Sequence, residues 1–408
     1  MYVTYWNPPV ARQITFEQML AGVDSVLDLN ALSFGDDTRT KTICVNELTK
    51  TLKEKTNIPR MIAKLHEFNE KYSNYQNGNL AAHYKHFSIP KKSGGFRPID
   101  APDDGLKLAL TELRILLNSF MIASYHNAAY AYIPNRCFID AVKCHQFGRK
   151  RYRTNPETGE QEIVTFENNW AVKFDFHGFF PSTNFNFVFG TFNLIYPFAL
   201  IMEDESGKEE LRKALSMCFL NDSLPQGTPI SPWITNVMMI PFDHLMTRKL
   251  NKYTASNGIT YEFTYTRYAD DITISSYLSF DWQEIQNVVI NCLNFIHAPF
   301  SLNESKTHYG NRHSSKNWTL GLMWNKDNEI TVGWRNIKNF KAMCCNYIMA
   351  KKSGNKWDLE DVQKFNGTLN YYYMVEPEVI KEIIAKYNTK FGVNLKKMIH
   401  EDLARQGG

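Results

Sequence analysis

The stretch TRYADDITISS, residues 266–276, sets two adjacent aspartates, Asp270 and Asp271, between two strand-forming runs. Neighbouring like charges raise each other's cost of ionisation unless a cation stands close. Two readings meet that constraint. A solvated hairpin turn tolerates aspartate, and a divalent cation requires oxygen ligands of this kind. On extended backbone, adjacent side chains point to opposite faces. Asp270 and Asp271 therefore share one ion only if the turn rotates them, with Asp270 expected as the direct ligand and Asp271 as the weaker or outer one.

A third carboxylate stands in NWAVKFDFHGFF, residues 169–180. Trp170, Val172, Phe174 and Phe176 alternate with Ala171, Lys173 and Asp175, a period of two that puts the apolar set on one face and Asp175 on the other. Asp175 sits late on a strand built for burial, a poor place for a merely solvated acid. One aspartate at a strand end plus an aspartate pair on a neighbouring hairpin suits two Mg²⁺ ions roughly 3.5–4 Å apart, which activate a hydroxyl and stabilise a leaving pyrophosphate. Turn and capping duties remain the other reading of the same residues.

The chain around these motifs has 408 residues, 43% hydrophobic and 22% charged, which is globular and long enough for two or three domains. A net charge of +4 is too mild to identify a nucleic-acid partner. Its distribution is more informative. Residues 331–400 carry twelve Lys/Arg against six Asp/Glu, and GRKRYR at 148–153 adds four positive charges. A solvated face and a phosphate-contacting surface both explain these runs. The seven cysteines form no C-x-x-C pair, so reduced thiols are expected rather than a zinc or disulfide framework. The N-terminus lacks the pattern of a signal peptide, and runs such as LIYPFALIM are too short to span a bilayer. A cytoplasmic location without membrane contact is expected.

Residues 14–75 read as helical, with apolar residues three and four apart in TFEQMLAGVDSVLDL and RMIAKLHEFNEKY. HFSIPKKSGGFRPIDAP, 86–102, reads as two strands about a Ser-Gly-Gly turn, followed by an amphipathic helix. RTNPETGEQE, 153–162, reads as a hairpin tip, and NWTLGLMWNKDNEITVGW, 317–334, as two short strands about a turn. The remainder is helical and basic. Strands and helices interleave without regular βαβ spacing, so the fold class is α+β.

Six ordered segments then carry a resemblance: IPKKSGGFRPIDAP, FDFHGFFPS, LPQGTPISP, YADD, LNESKT and WTLGLMWN. Together they resemble reverse transcriptases, and FFPSTNF, YADDITIS and LNESKT look most like bacterial retron and related defence-associated enzymes of group II intron-like lineage. The resemblance implies a right-hand polymerase fold: N-terminal helices and fingers over 1–168, a palm of antiparallel sheet and helices over 169–334, and a helical thumb over 335–408. It implies an RNA-directed DNA polymerase making cDNA from dNTPs by two-metal nucleotidyl transfer, with Mg²⁺ as cofactor and Mn²⁺ as a substitute. The template would be RNA, a dedicated non-coding RNA, extended from a DNA or RNA primer, with anti-phage defence as the biological role.

Under that resemblance Asp175, Asp270 and Asp271 are the metal ligands, and Lys306 donates a proton to departing pyrophosphate. Phe180, five residues after Asp175, stands where the family places the aromatic that excludes a ribose 2′-hydroxyl, with Phe179 as the core member. Gln226 and Gly227 line the incoming nucleotide, the glycine allowing close backbone approach. Lys91, Lys92 and Arg97 flank the fingers turn and suit triphosphate oxygens, Arg97 best of the three. Ser231 reads as an N-cap before Pro232, and Pro241 should kink or end that helix. The basic helices of 335–397 would grip template and primer phosphates. Two other functions share these motifs: a template-independent or protein-primed DNA polymerase of the same fold, and an RNA-binding ribonucleoprotein component with secondary catalysis.

Overall fold

The structure is a computed structural model that describes residues 56–91, 94–121, 125–314 and 317–405. The helical reading of 14–55 therefore lies outside the described residues, as does Lys92. The chain divides into two compact units. One takes in the described residues up to Cys137 together with Val172–Ser276 and Phe280–His308; the other comprises Phe138–Ala171, Tyr277–Ser279 and Tyr309 onward.

The first unit opens with the helix Ile58–Lys71, started by the Asn57 side chain, which accepts the Arg60 N–H at 3.1 Å. An antiparallel hairpin follows, Tyr84–Pro90 against Phe96–Pro102. Its turn contains Gly94 and Gly95, both at positive φ. The expected amphipathic helix is Asp104–Phe120, capped by Asp103 and burying Leu106, Ala109, Leu110, Leu113, Leu117 and Phe120 at three- and four-residue spacing.

The centre of this unit is a sheet. The strand ending at Asp175 neighbours Asp271–Ser276, which pairs antiparallel with Thr264–Tyr268. The alternation expected for Trp170–Asp175 is only half the outcome. Phe174 and Phe176 are buried, but so is Ala171 on the opposite face. The Asp271–Ser276 strand is likewise buried over Ile272–Ser276, which places the sheet in the core of its unit. An aromatic cluster lies under the strand end, with Phe176 stacked on Phe179 (5.4 Å) and both against Phe300 (5.5 and 4.9 Å).

Helices Ser231–Met238 and Ile240–Asn251 bear out the reading of Pro241, which sits in the first turn of a new helix after Met239 breaks the first one. Ser231 is a correction. The cap position is Ile230, and the hydroxyl of Ser231 pairs with Thr228 Oγ1 at 2.5 Å, while Thr228 Oγ1 also accepts the Ser231 N–H.

In the second unit, Phe147–Thr154 and Gln161–Glu167 form the expected hairpin. The segment 317–334 holds three short strands rather than two: Trp318–Thr319, Leu322–Trp324 and Ile330–Thr331. Four helices follow, Trp334–Lys352, Leu359–Val375, Pro377–Phe391 and Leu395–Arg405. They close on a core that includes Phe340, Tyr347, Phe365 and Ile380. Tyr347 donates to Asp402 at 2.8 Å inside it. Of the three consecutive tyrosines, Tyr372 packs on Phe340 (ring centroids 5.6 Å) and Tyr371 stacks on Phe138. Among the described residues no disulfide is formed and no helix is long and apolar enough to cross a membrane.

Candidate active site

The three carboxylates predicted from sequence all lie in the first unit, near enough for the charge of Asp175 to act on Asp270 and Asp271. Tyr268 pairs with Asp271, so Ala269 and Asp270 form a two-residue hairpin turn. The turn takes Asp270 out of strand alternation, which is the rotation the adjacent pair needs. Ala269 carries the strain, with φ +56 in a position where such turns favour glycine. Backbone bonds tie the turn to the end of the central strand. The Phe176 N–H donates to Asp270 O (3.2 Å), the Asn303 N–H to Asp175 O (2.8 Å), and the His177 N–H to Ser301 O (2.8 Å).

The electrostatics record that convergence. Burial pushes the Asp270 carboxyl above its ordinary range, and the Asp175 charge adds to the shift. Burial pushes Asp271 to about 7, with Asp270 and Asp175 adding their repulsion. Lys306 answers part of this charge. Its Nζ donates to both oxygens of Asp175, at 2.8 and 3.0 Å, and that bond raises its own pKa.

Two further groups in this field were not expected from sequence. Lys173, on the same strand face as Asp175, has a buried Nζ that makes no hydrogen bond, and burial pulls its pKa down to about 8 against the attraction of Asp271. Tyr132 stands at φ +57, and its hydroxyl is pushed up by burial and then by the charge of Asp270. Lys173 is legible only as a polar residue in a strand pattern, and Tyr132 sits in a loop whose course no local motif sets.

The Lys306 ammonium bonds Asp175, while Lys173 and Arg97 act on Asp271 and Asp270 only through their charge. A carboxylate oxygen donor set of this kind fits a hard divalent cation. Among the described residues no three His, Cys, Asp or Glu side chains close into a metal cage on their own.

Residues 89–332 match the family described as reverse transcriptase (RNA-dependent DNA polymerase), well over half of the chain. The chain belongs to the reverse transcriptases. Its relatives include the retron Ec73 reverse transcriptase of Escherichia coli, 29% identical over 74% of this chain and 86% of that protein. The retron Ec83 reverse transcriptase of Escherichia coli is 24% identical over 78% of this chain and 91% of that protein. Among solved structures, telomerase from Candida albicans aligns over 81% of this chain and 68% of its own, with 13% identity and a TM-score of 0.41. The likeness within the family is thus to the retron type. The fold is the right-hand polymerase fold of the α+β class, and the activity is RNA-directed DNA polymerisation, with RNA as template and divalent metal ions in its chemistry.

The other residues expected in this reverse transcriptase's site are distributed as follows. Phe179 is buried in the aromatic cluster and Phe180 is half-buried, with its ring edge-on to Phe179 at 5.8 Å. Arg97 stands opposite Ile89 in the hairpin, and its charge eases the ionisation of Asp270. Lys91 is exposed at the hairpin turn, where its N–H donates to Gly95 O. The Gln226 carbonyl accepts the Asp100 N–H at 2.8 Å, which docks the Gln-Gly loop onto the hairpin strand that carries Arg97. Gly227 follows at φ +125, where an added Cβ would lie 2.9 Å from Asp100 O and 3.0 Å from Ile99 Cγ2.

Gly227→Ala is therefore expected to cost about 1–3 kcal/mol in local strain, lowering Tm, and to raise KM for dNTP. Parallel thermal melts and steady-state extension check this. A second expectation concerns Asp271. Its native carboxyl titrates at about 7 rather than 3.8, so the folded state binds the proton more tightly than the unfolded one. Metal-free stability should then fall as pH rises between those two values, and the penalty is complete above both. Asp271→Asn should remove that slope and melt higher than wild type in chelator at about pH 8. Added Mg²⁺ should raise the wild-type Tm more than that of the variant, by mass action on the folded state. Melting curves across pH with and without metal read both effects.

Proposed function

We propose that this enzyme copies a dedicated non-coding RNA into DNA, with two Mg²⁺ ions held by Asp175, Asp270 and Asp271. The observation that carries the metal reading is that the charges of Asp175 and Asp270 act on Asp271, while the Lys306 ammonium bonds Asp175. Divalent ions bound there would supply activation of a primer 3′-hydroxyl and charge neutralisation on the leaving pyrophosphate, and Mn²⁺ would substitute.

The protein's own groups take the remaining work. Arg97, with Lys91 and Lys92 of the same turn, binds the triphosphate of the incoming dNTP; a planar guanidinium suits phosphate oxygens best. Gln226 and Gly227 line the nucleotide through a backbone that only glycine keeps clear. Phe180 blocks a ribose 2′-hydroxyl while Phe179 anchors it in the core. Lys306 stands at hydrogen-bond distance from Asp175 and donates a proton to departing pyrophosphate.

Fingers over 1–168, palm over 169–334 and thumb over 335–408 are the assignment that accompanies this reading, with the basic helices beyond 335 on template and primer phosphates. The likeness to retron reverse transcriptases supports a partner RNA of the enzyme's own, a cytoplasmic location and a role in anti-phage defence.

The test is primer extension on an RNA template with Mg²⁺, comparing dNTPs with rNTPs. Wild type is expected to make templated DNA, and the Asp270→Ala/Asp271→Ala variant none. Phe180→Val is expected to raise rNTP use relative to dNTP by about tenfold or more. Synthesis by the double aspartate variant would remove the metal assignment. Product whose sequence ignores the template would move the activity to untemplated extension. Sequencing of co-purified nucleic acid reads the partner RNA, and a random population would count against a dedicated one.

A further inference from the structure

Below the aspartate turn lies an ion pair that the reaction does not touch. Arg267 and Asp243 are both fully buried, at 0% side-chain exposure. Arg267 Nε donates to Asp243 Oδ1 at 2.8 Å and Nη2 to Oδ2 at 2.7 Å, the bidentate fork geometry. Tyr265 Oη donates to Asp243 Oδ1 at 2.6 Å. The remaining guanidinium nitrogen reaches forward, with Nη1 donating to Ala269 O at 3.1 Å. The backbone of Arg267 is held as well: its N–H donates to Ala128 O (2.7 Å), and its carbonyl accepts the Tyr130 N–H (2.9 Å). Asp243 lies in the first turn of the helix Ile240–Asn251, where the helix dipole favours a carboxylate.

Burying such a pair is poor value as stabilisation. Desolvation offsets most of the Coulomb gain, and apolar replacements of similar shape are often as stable. What the pair uniquely provides is a fixed donor aimed at one carbonyl. That carbonyl belongs to Ala269, the left-handed residue immediately before Asp270. The turn has to hold a strained alanine next to two mutually repelling carboxylates, and Arg267 bonds the peptide between Ala269 and Asp270 to a buried, immobile anchor.

We propose that Arg267 and Asp243 are positioning residues for nucleotidyl transfer, holding the Ala269–Asp270 turn so that the turn carboxylates keep the geometry metal binding requires. The proposal rests on the reading of Asp270 and Asp271 as the site carboxylates.

The test is Arg267→Lys in the full-length enzyme, which keeps the charge but cannot form the fork and reach Ala269 O together. The variant is expected to melt cooperatively, with kcat lowered about 10- to 100-fold, the effect of a slightly misplaced catalytic group. Half-saturation in Mg²⁺ should move up several-fold while KM for dNTP changes by less than about twofold. Val289→Ala, a core substitution in the helix Trp282–Phe295, should lower Tm without changing kcat per folded molecule or the Mg²⁺ dependence. Adding Ala269→Gly to Arg267→Lys should restore several-fold of the lost kcat, because glycine adopts positive φ without the brace.

Wild-type kcat and Mg²⁺ dependence in folded Arg267→Lys would overturn the proposal, as would a loss that follows only the folded fraction. If Arg267→Lys does not fold, Tyr265→Phe carries the test. A smaller kcat loss with a raised Mg²⁺ requirement supports the brace, and wild-type values of both overturn it. Activity retained by Asp270→Ala would instead remove the underlying site assignment, so the two failures are told apart.

Discussion

Mutual repulsion among Asp175, Asp270 and Asp271 is the constraint around which the first unit is organised. Burial first, and then the charges of Asp270 and Asp175, push Asp271 to about 7. Nothing in such a cluster attracts itself. Its geometry has to be imposed by backbone and packing, so the elements nearest to it are the most heavily anchored. The central strand is buried on both faces and ends over Phe176, Phe179 and Phe300. The turn is bonded to that strand end by the Phe176 N–H and to the interior by Arg267.

The same constraint explains why local rules are broken here. A left-handed alanine, a buried ammonium without a hydrogen bond and a buried ion pair each cost free energy. All three fall within a few residues of the aspartates or point at them. Other elements follow local preference: Asp103 caps its helix, and Gly94 and Gly95 turn their hairpin. Strain at the site is offset by the ordinary packing around it.

This division also decides what could be read from sequence. The aspartates were legible because Asp175 interrupts an apolar strand pattern and the Asp270-Asp271 pair stands between two strand-forming runs. Gly227 was pointed to by the resemblance, through the Gln-Gly motif, and its φ of +125 with an added Cβ 2.9 Å from Asp100 O gives the backbone reason. Asp243 was not, since one acid in an apolar helical stretch looks like a solvated residue until Arg267, 24 positions later, is found beside it. Lys173 was hidden by the alternation that revealed Asp175: period two marks which face a residue is on, not whether that face is dry. Ser231 was misassigned because cap preference ranks residue types, and here Thr228, three residues earlier, supplied the acceptor.

Two ion pairs near the aspartates show how burial separates permanent from exchangeable contacts. Lys306 bonds buried Asp175 with its own side chain 57% exposed, so solvent screens its half of the pair and its flexible side chain resists ordering. It can let go of the carboxylate at small cost when other charge arrives. Arg267 and Asp243 have no water to exchange with, and losing either partner strands a buried charge. The half-exposed pair lies at the carboxylates proposed to meet nucleotide and cations, and the fully buried one lies beneath the turn that carries two of them. Had the two been interchanged, the site would be sealed by a salt bridge that solvent could not help to open, and its carboxylates would hang from a contact that solvent could always dissolve. The difference in exposure, more than the identity of either cation, fits each pair to its place.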